Sequence, residues 1–176
     1  MSAPYLLDLA NDPKIIEIVA GYLGCTPSLY SMNAWWSFGD NASAENVTQR
    51  YHRDTDDFRF CSLFIYLTDV EEDNGDHQYF QQTHRPELIE ELLSKTNFPE
   101  VEVNSGLGSK TLQMDFDDIF NNFGYGRDDI YNALFEEQLC KVSGPAGSAF
   151  ITDPFGLHRG SPSFKGRRLA LVPKIL

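Results

Sequence analysis

Basic residues are scarce in this sequence: 14 Lys and Arg stand against 26 Asp and Glu, for a formal net charge of −12. A surface that grips phosphate backbones needs clustered Lys and Arg, so nucleic acid is excluded as a partner class. The same deficit argues against docking on anionic lipid. No apolar run approaches the roughly 18 residues that a membrane span needs. The N-terminus, MSAPYLLDLANDPK, has no basic stretch ahead of a long apolar one, so no signal peptide is read there. Cysteines number only 3, namely Cys25, Cys61 and Cys140, far apart in the chain. With no CxxC pair they offer neither a zinc cage nor a redox couple, and free thiols in a reducing cytoplasm are expected. The glycosylation-type triplets at Asn41 and Asn46 are set aside because no secretion signal accompanies them.

What is present is an ordinary globular composition, 41% hydrophobic, with 13 Phe and 8 Tyr in 176 residues. That length suits one domain over residues 1–176, and no repeat, linker or low-complexity tract divides it. A helix is predicted over 13–23: Asp12 can cap it, Pro13 suits its first turn, and Gly24 ends it. Ile15, Ile16, Val19 and Leu23 give it one apolar face. A second helix is expected from Pro86, carrying Leu88, Leu92 and Leu93, and a third over 128–135. Short runs rich in β-branched and aromatic residues predict strands over 29–38, 47–54, 59–68, 78–81, 139–142, 148–152 and 168–172. Ser143-Gly-Pro-Ala-Gly147 reads as a tight hairpin between two of them. The expected fold class is mainly β, a barrel or jelly roll with a few helices on its outside.

The histidines number 4: His52, His77, His84 and His158. His52 and Asp54 are two apart on a predicted strand, so both side chains point to one face and can reach one ion. A third candidate ligand, His158, follows His52 by 106 positions. Two His and one carboxylate form the facial set that leaves positions open on Fe(II) for oxygen chemistry. Arg167 and Arg168 begin the last apolar strand, and a guanidinium there could hold a carboxylate in two-point fashion. Strand alternation sends only one of the two inward.

On these residues the sequence resembles the phytanoyl-CoA dioxygenase-like branch of the 2-oxoglutarate oxygenases. Tyr51-His-Arg-Asp54, Leu63-Phe-Ile-Tyr-Leu-Thr-Asp-Val-Glu-Glu-Asp-Asn-Gly75, Gly156-Leu-His-Arg-Gly160 and Gly166-Arg-Arg-Leu169 match in type, order and spacing, within a likeness running from Leu6 to Val172. The resemblance implies a double-stranded β-helix of the jelly-roll or cupin-like kind, with Fe(II) on His52, Asp54 and His158. It implies 2-oxoglutarate and dioxygen as co-substrates, a small organic substrate, and succinate and carbon dioxide as co-products. The family pattern of Arg followed by Leu-Ala-Leu favours Arg168 as the co-substrate's arginine. An intact Asp54 favours hydroxylation, since halogenating relatives replace that carboxylate. The chain departs from the pattern in two places. It begins almost at its first predicted helix, where family members carry more sequence, so either a minimal member or one lacking an N-terminal portion is expected, without part of the usual substrate wall. It also has Gly160, followed by Ser161, where the family often has Ser or Thr.

Other residues receive blander readings. Gln49 and Trp36 are candidate pocket-lining residues, with Gln49 assigned to the co-substrate. Asp56 and Asp57 are expected to be solvated, and Asp69, Glu71, Glu72 and Asp73 to form a polar loop rim. His77 and His84 are read as structural or rim residues. Two rivals stand beside the oxygenase: a cupin-like metalloenzyme without 2-oxoglutarate, which needs no arginine, and a jelly-roll binding module, which needs no triad.

Overall fold

The computed structural model describes residues 4–38, 49–57, 59–95, 101–105, 108–112, 116–120, 128–163 and 167–176. Short helices α1 (Pro4–Ala10) and α2 (Pro13–Leu23) lead into β1 (Leu29–Phe38) and β2 (Cys61–Tyr66). After β3 (His77–Phe80) and α3 (Pro86–Lys95) come a hairpin of β4 (Val101–Ser105) and β5 (Gly108–Leu112), then α4 (Phe116–Phe120) and α5 (Asp128–Leu134). The chain closes with β6 (Leu139–Val142), β7 (Ala149–Thr152), β8 (His158–Gly160) and β9 (Arg167–Ile175). Among the described residues no helix is long and apolar enough to cross a membrane.

These strands build two antiparallel sheets, in the orders β1-β9-β2-β7 and β6-β3-β8. Alternation gives each sheet an inner and an outer face. The inner faces meet: the Phe64 ring of β2 lies 4.8 Å from His77 of β3, and Tyr66 Oη donates to the Val142 carbonyl of β6 at 2.7 Å. The outer face of the smaller sheet packs Phe80 and neighbouring Leu157 against Ile89 of α3, Ile119 of α4 and Tyr131 and Leu134 of α5. The outer face of the larger sheet presents Leu63, Ile65, Leu171 and Met32 to Leu6 of α1 and Ile15 of α2. Each such fully buried aliphatic side chain contributes about 1.5–3 kcal/mol.

Helix α2 forms as the sequence predicts. The Asp12 carboxylate accepts from the N–H groups of Lys14 and Ile15, at 2.9 and 3.4 Å, which satisfies donors that have no partner inside the helix. Gly24 stops it at φ 78°, and Val19 is fully buried beside Cys61 and Ile175. The three cysteines are free.

Three expectations need correction. Ser143-Gly-Pro-Ala-Gly147 does reverse the chain, but β6 pairs with β3 and β7 with β2, so the turn carries the chain between sheets and makes no hairpin. Turn chemistry dictates a reversal, whereas side-chain alternation decides which strand each arm pairs with. The strand expected over 47–54 is reduced, among its described residues, to one bridge between His52 and His158. Its partner β8 is only 3 residues long, which leaves little ladder to join. Trp36 turns outward and stacks on Phe38 at 6.3 Å, because its neighbour Ser37 faces in and accepts from Arg168.

Candidate metal centre

His52 and His158 meet as a directly opposed antiparallel pair. Each backbone N–H donates to the other's carbonyl, at 2.9 and 3.0 Å, so the two imidazoles leave neighbouring backbones on one face. Their ring centroids are 4.4 Å apart. Asp54 is placed by its own N–H, which donates to the Pro154 carbonyl at 2.9 Å. Ligand atoms of His52, Asp54 and His158 then lie within 4.8 Å of one another, and among the described residues this trio is the group placed closely enough to hold one metal ion.

The donor chemistry fits an ion. His52 Nδ1 lies 2.7 Å from the Arg50 carbonyl, and His158 Nδ1 lies 2.9 Å from the Gly156 carbonyl. A carbonyl only accepts, so each Nδ1 carries the proton and each Nε2 keeps its lone pair, the tautomer that a metal requires. His52 Nε2 stands 3.6 Å from Asp54 Oδ1. The other carboxylate oxygen, Oδ2, accepts from Lys174 Nζ at 3.0 Å, and Lys174 also binds Asp56. Lys174 therefore takes one oxygen of Asp54 and leaves the other toward the imidazoles. Burial, with His52 beside it, pushes the His158 pKa down to about 4. Both effects keep this imidazole neutral and available as a ligand.

Behind the two histidines stands Asp128, at the start of α5. Its Oδ1 accepts the N–H of Tyr51 at 3.0 Å, and its Oδ2 accepts from Arg159 Nη1 at 2.8 Å. Arg159 lies over the Tyr51 ring at 4.2 Å and donates to Gln78 at 2.9 Å. One carboxylate thus ties the residue before His52 to the residue after His158.

Of the two arginines, Arg168 points inward and is half-buried as a residue, while Arg167 is exposed with its guanidinium 5.5 Å from the Phe38 ring centroid. Arg168 Nη1 donates to the Gly75 carbonyl at 2.5 Å and Nη2 to Ser37 Oγ at 3.1 Å, while its buried Nε has no partner. Among the described residues no carboxylate forms an ion pair with it. Gly160 makes room for this side chain: a Cβ there would stand 2.9 Å from Nη1 and 3.0 Å from Nη2. Ser161 is already engaged, since its hydroxyl donates to Asp76 and accepts the Gly75 N–H at 2.9 Å.

Gln49 is half-buried three residues ahead of His52. Asp56 is exposed yet paired with Lys174 and with the Tyr30 hydroxyl, and Asp73 is paired with Lys141. His84 is half-buried on the side of Arg53 and Asp153. Sequence reasoning missed two contributors, Asp128 and Lys174, which hold the site from behind. His77, expected to be a structural or rim residue, is 3% exposed with its ring 5.5 Å from that of His158. Parity could have found Lys174, which shares the inward face of β9 with Arg168.

No family model matches the sequence, and no curated protein matches it either. Solved structures do. The chain is similar to HygX from Streptomyces hygroscopicus, solved with nickel and 2-oxoglutarate bound, at TM-score 0.58 and 15% identity, over 98% of this chain and 65% of that one. It is similar to the epimerase SnoN in complex with Fe3+, alpha ketoglutarate and nogalamycin RO, at TM-score 0.54 and 12% identity, over 99% of this chain and 59% of that one. EvdO2 from Micromonospora carbonacea var. aurantiaca matches at TM-score 0.53 and 14% identity, over 98% of this chain and 63% of that one. The chain has the fold that these proteins share. It spans 59% to 65% of their lengths.

Proposed function

We propose that the chain is an Fe(II)- and 2-oxoglutarate-dependent oxygenase of the phytanoyl-CoA dioxygenase-like kind, with a double-stranded β-helix as its scaffold and a small organic molecule as its substrate. The observation that carries the reading is Arg168: a guanidinium between the sheets, beside Gly160 of the His158 strand, with no carboxylate among the described residues in an ion pair with it, Asp76 acting on it only at longer range. Burying a cation without an anion is costly, and a dicarboxylate co-substrate with its keto acid toward the triad would bring that anion.

His52, Asp54 and His158 would hold the iron. Bound there, it supplies with dioxygen and 2-oxoglutarate an oxidation that puts one oxygen atom into the substrate and the other into succinate, with loss of carbon dioxide. The protein's residues orient and insulate. Backbone carbonyls at Arg50 and Gly156 fix the imidazoles, Lys174 fixes the carboxylate, and Phe64 and Phe150 keep the space beside His77 apolar. Asp54 is present as the third ligand, which favours hydroxylation over halogenation.

The test is anaerobic titration of Fe(II)-loaded protein with 2-oxoglutarate, read as the visible metal-to-ligand charge-transfer band. Wild type should develop the band and His158→Ala should not. A metal-loaded wild type with no band points to the cupin-like metalloenzyme instead. SnoN is an epimerase, so the product is also weighed: hydroxylation adds one oxygen atom, whereas epimerisation leaves the mass unchanged.

A further inference from the structure

His77 is the imidazole that the proposed chemistry does not use. It opens β3 with its side chain turned inward, its ring 4.8 Å from Phe64, 5.1 Å from Phe150 and 5.5 Å from His158. Its backbone N–H donates to the Tyr66 hydroxyl at 3.0 Å, but its buried Nε2 has no hydrogen-bond partner. A nitrogen left unpaired in the interior is costly, and a phenylalanine would fill the same aromatic cage without that cost.

Strand register shows what lies beside this nitrogen. His77 stands directly opposite Gly160 in the β3–β8 ladder. Directly opposed residues on one face have Cβ atoms roughly 4.5–5.5 Å apart. Gly160 has no side chain, and the Arg168 guanidinium occupies the place where one would stand. Imidazole and guanidinium are therefore neighbours, and each has a buried nitrogen without a partner. A carboxylate can accept from both at once, and it brings a directly bonded negative charge where Asp76 acts on the guanidinium only at longer range.

We infer that His77 donates a second hydrogen bond, from Nε2, to the same 2-oxoglutarate carboxylate that Arg168 binds. This rests on the proposed function and adds a residue to it. Arg168 supplies the charge, and His77 supplies direction. His77 acts on the co-substrate's affinity and has no part in holding the metal.

The experiment uses Ni(II)-loaded wild type, His77→Phe and His77→Gln, titrated calorimetrically with 2-oxoglutarate and with 2-oxobutyrate, which lacks the distal carboxylate. His77→Phe should weaken 2-oxoglutarate roughly tenfold or more. It should leave 2-oxobutyrate and Ni(II) affinity within about twofold, and without ligand it should melt at or above the wild-type temperature. His77→Gln, which keeps an N–H donor, should recover part of the loss. Binding of 2-oxoglutarate to folded His77→Phe at wild-type strength overturns the inference. So does an equal penalty on both keto acids, which would mark an effect passed through His158. Should His77→Phe not fold, the wild-type to His77→Gln comparison across the two keto acids decides in the same way. A Ni(II)-loaded wild type that binds neither keto acid brings down the proposed function itself, a result distinct from either.

Discussion

At the scale of single residues, the side chains that matter most are those whose partners are half supplied. Arg168 has a carbonyl and a hydroxyl but, among the described residues, no carboxylate in an ion pair, whereas Arg167 is exposed against Phe38. Replacing Arg168 by Ala should raise the dissociation constant for 2-oxoglutarate by roughly 30-fold or more, given ~2–5 kcal/mol for losing one partner of a buried charged pair. Metal affinity should stay put, and Arg167→Ala should do little. The charge-transfer titration separates these cases, and a large effect from Arg167→Ala with none from Arg168→Ala would reassign the contact. Lys174 acts on the metal instead. Removing its ammonium with Lys174→Met frees Asp54 Oδ2 and lets the carboxylate rotate, so metal affinity should fall roughly tenfold to 100-fold. Unchanged affinity by calorimetry would mean that Asp54 is held by its backbone alone. The three proposed ligands were legible from the HxD spacing and from the family motifs that contain them, although the strand expected around His52 and Asp54 is reduced to a single bridge. His77 was not legible, because its meaning lies in an empty position at Gly160 that faces it from another strand.

At the scale of elements, β8 is the weak member on which the site depends. It has 3 residues, pairs with β3 on one edge, and meets a single bridge from His52 on the other. Asp128 compensates by binding both neighbours from α5. Asp128→Ala leaves the Tyr51 N–H and the Arg159 guanidinium without their acceptor, at about 2 kcal/mol. The loss should appear as a lower melting temperature and faster exchange of the amides of His52 and His158, and equal exchange in both proteins would count against the tether. Helix α2 and strands β1, β2, β6 and β7 were read close to their true bounds, since apolar period and turn residues agree there. Strand β9 was read as ending at 172 because Pro173 resembles a terminator. It runs on to Ile175, and the β2–β9 pairing skips 172–173, where the missing N–H is not needed. The β4–β5 hairpin escaped because Asn104, Ser105, Gly106, Gly108 and Ser109 carry no strand pattern.

At the scale of the whole molecule, acid sensitivity follows from the buried imidazoles. His77, His158 and His84 all have folded-state values below the ordinary one, about 4 for His158, chiefly through burial. The unfolded chain therefore binds more protons than the folded one between those values and roughly 6.5. The contribution to stability is complete above ~pH 6.5 and is lost as pH falls through that window, at about 1.4 kcal/mol per pH unit for each proton taken up. The melting temperature of metal-free protein should hold steady from about pH 8 to 7 and then drop steadily toward pH 4.5. His77→Phe should make the drop shallower. A flat profile over that range would show that the imidazoles are solvated.

The mutual hydrogen bonds of His52 and His158 also bear on how the protein is made. These residues are 106 positions apart, so their pairing closes a long loop late, once β8 has been synthesised and docked. A nascent chain exposes His52 and Asp54 long before their third companion emerges from the ribosome. On the proposed ligand set, iron loading would wait for β8, and a chain cut short before residue 158 would lack one of its three ligands. Bound iron would then mark a chain whose synthesis had passed β8.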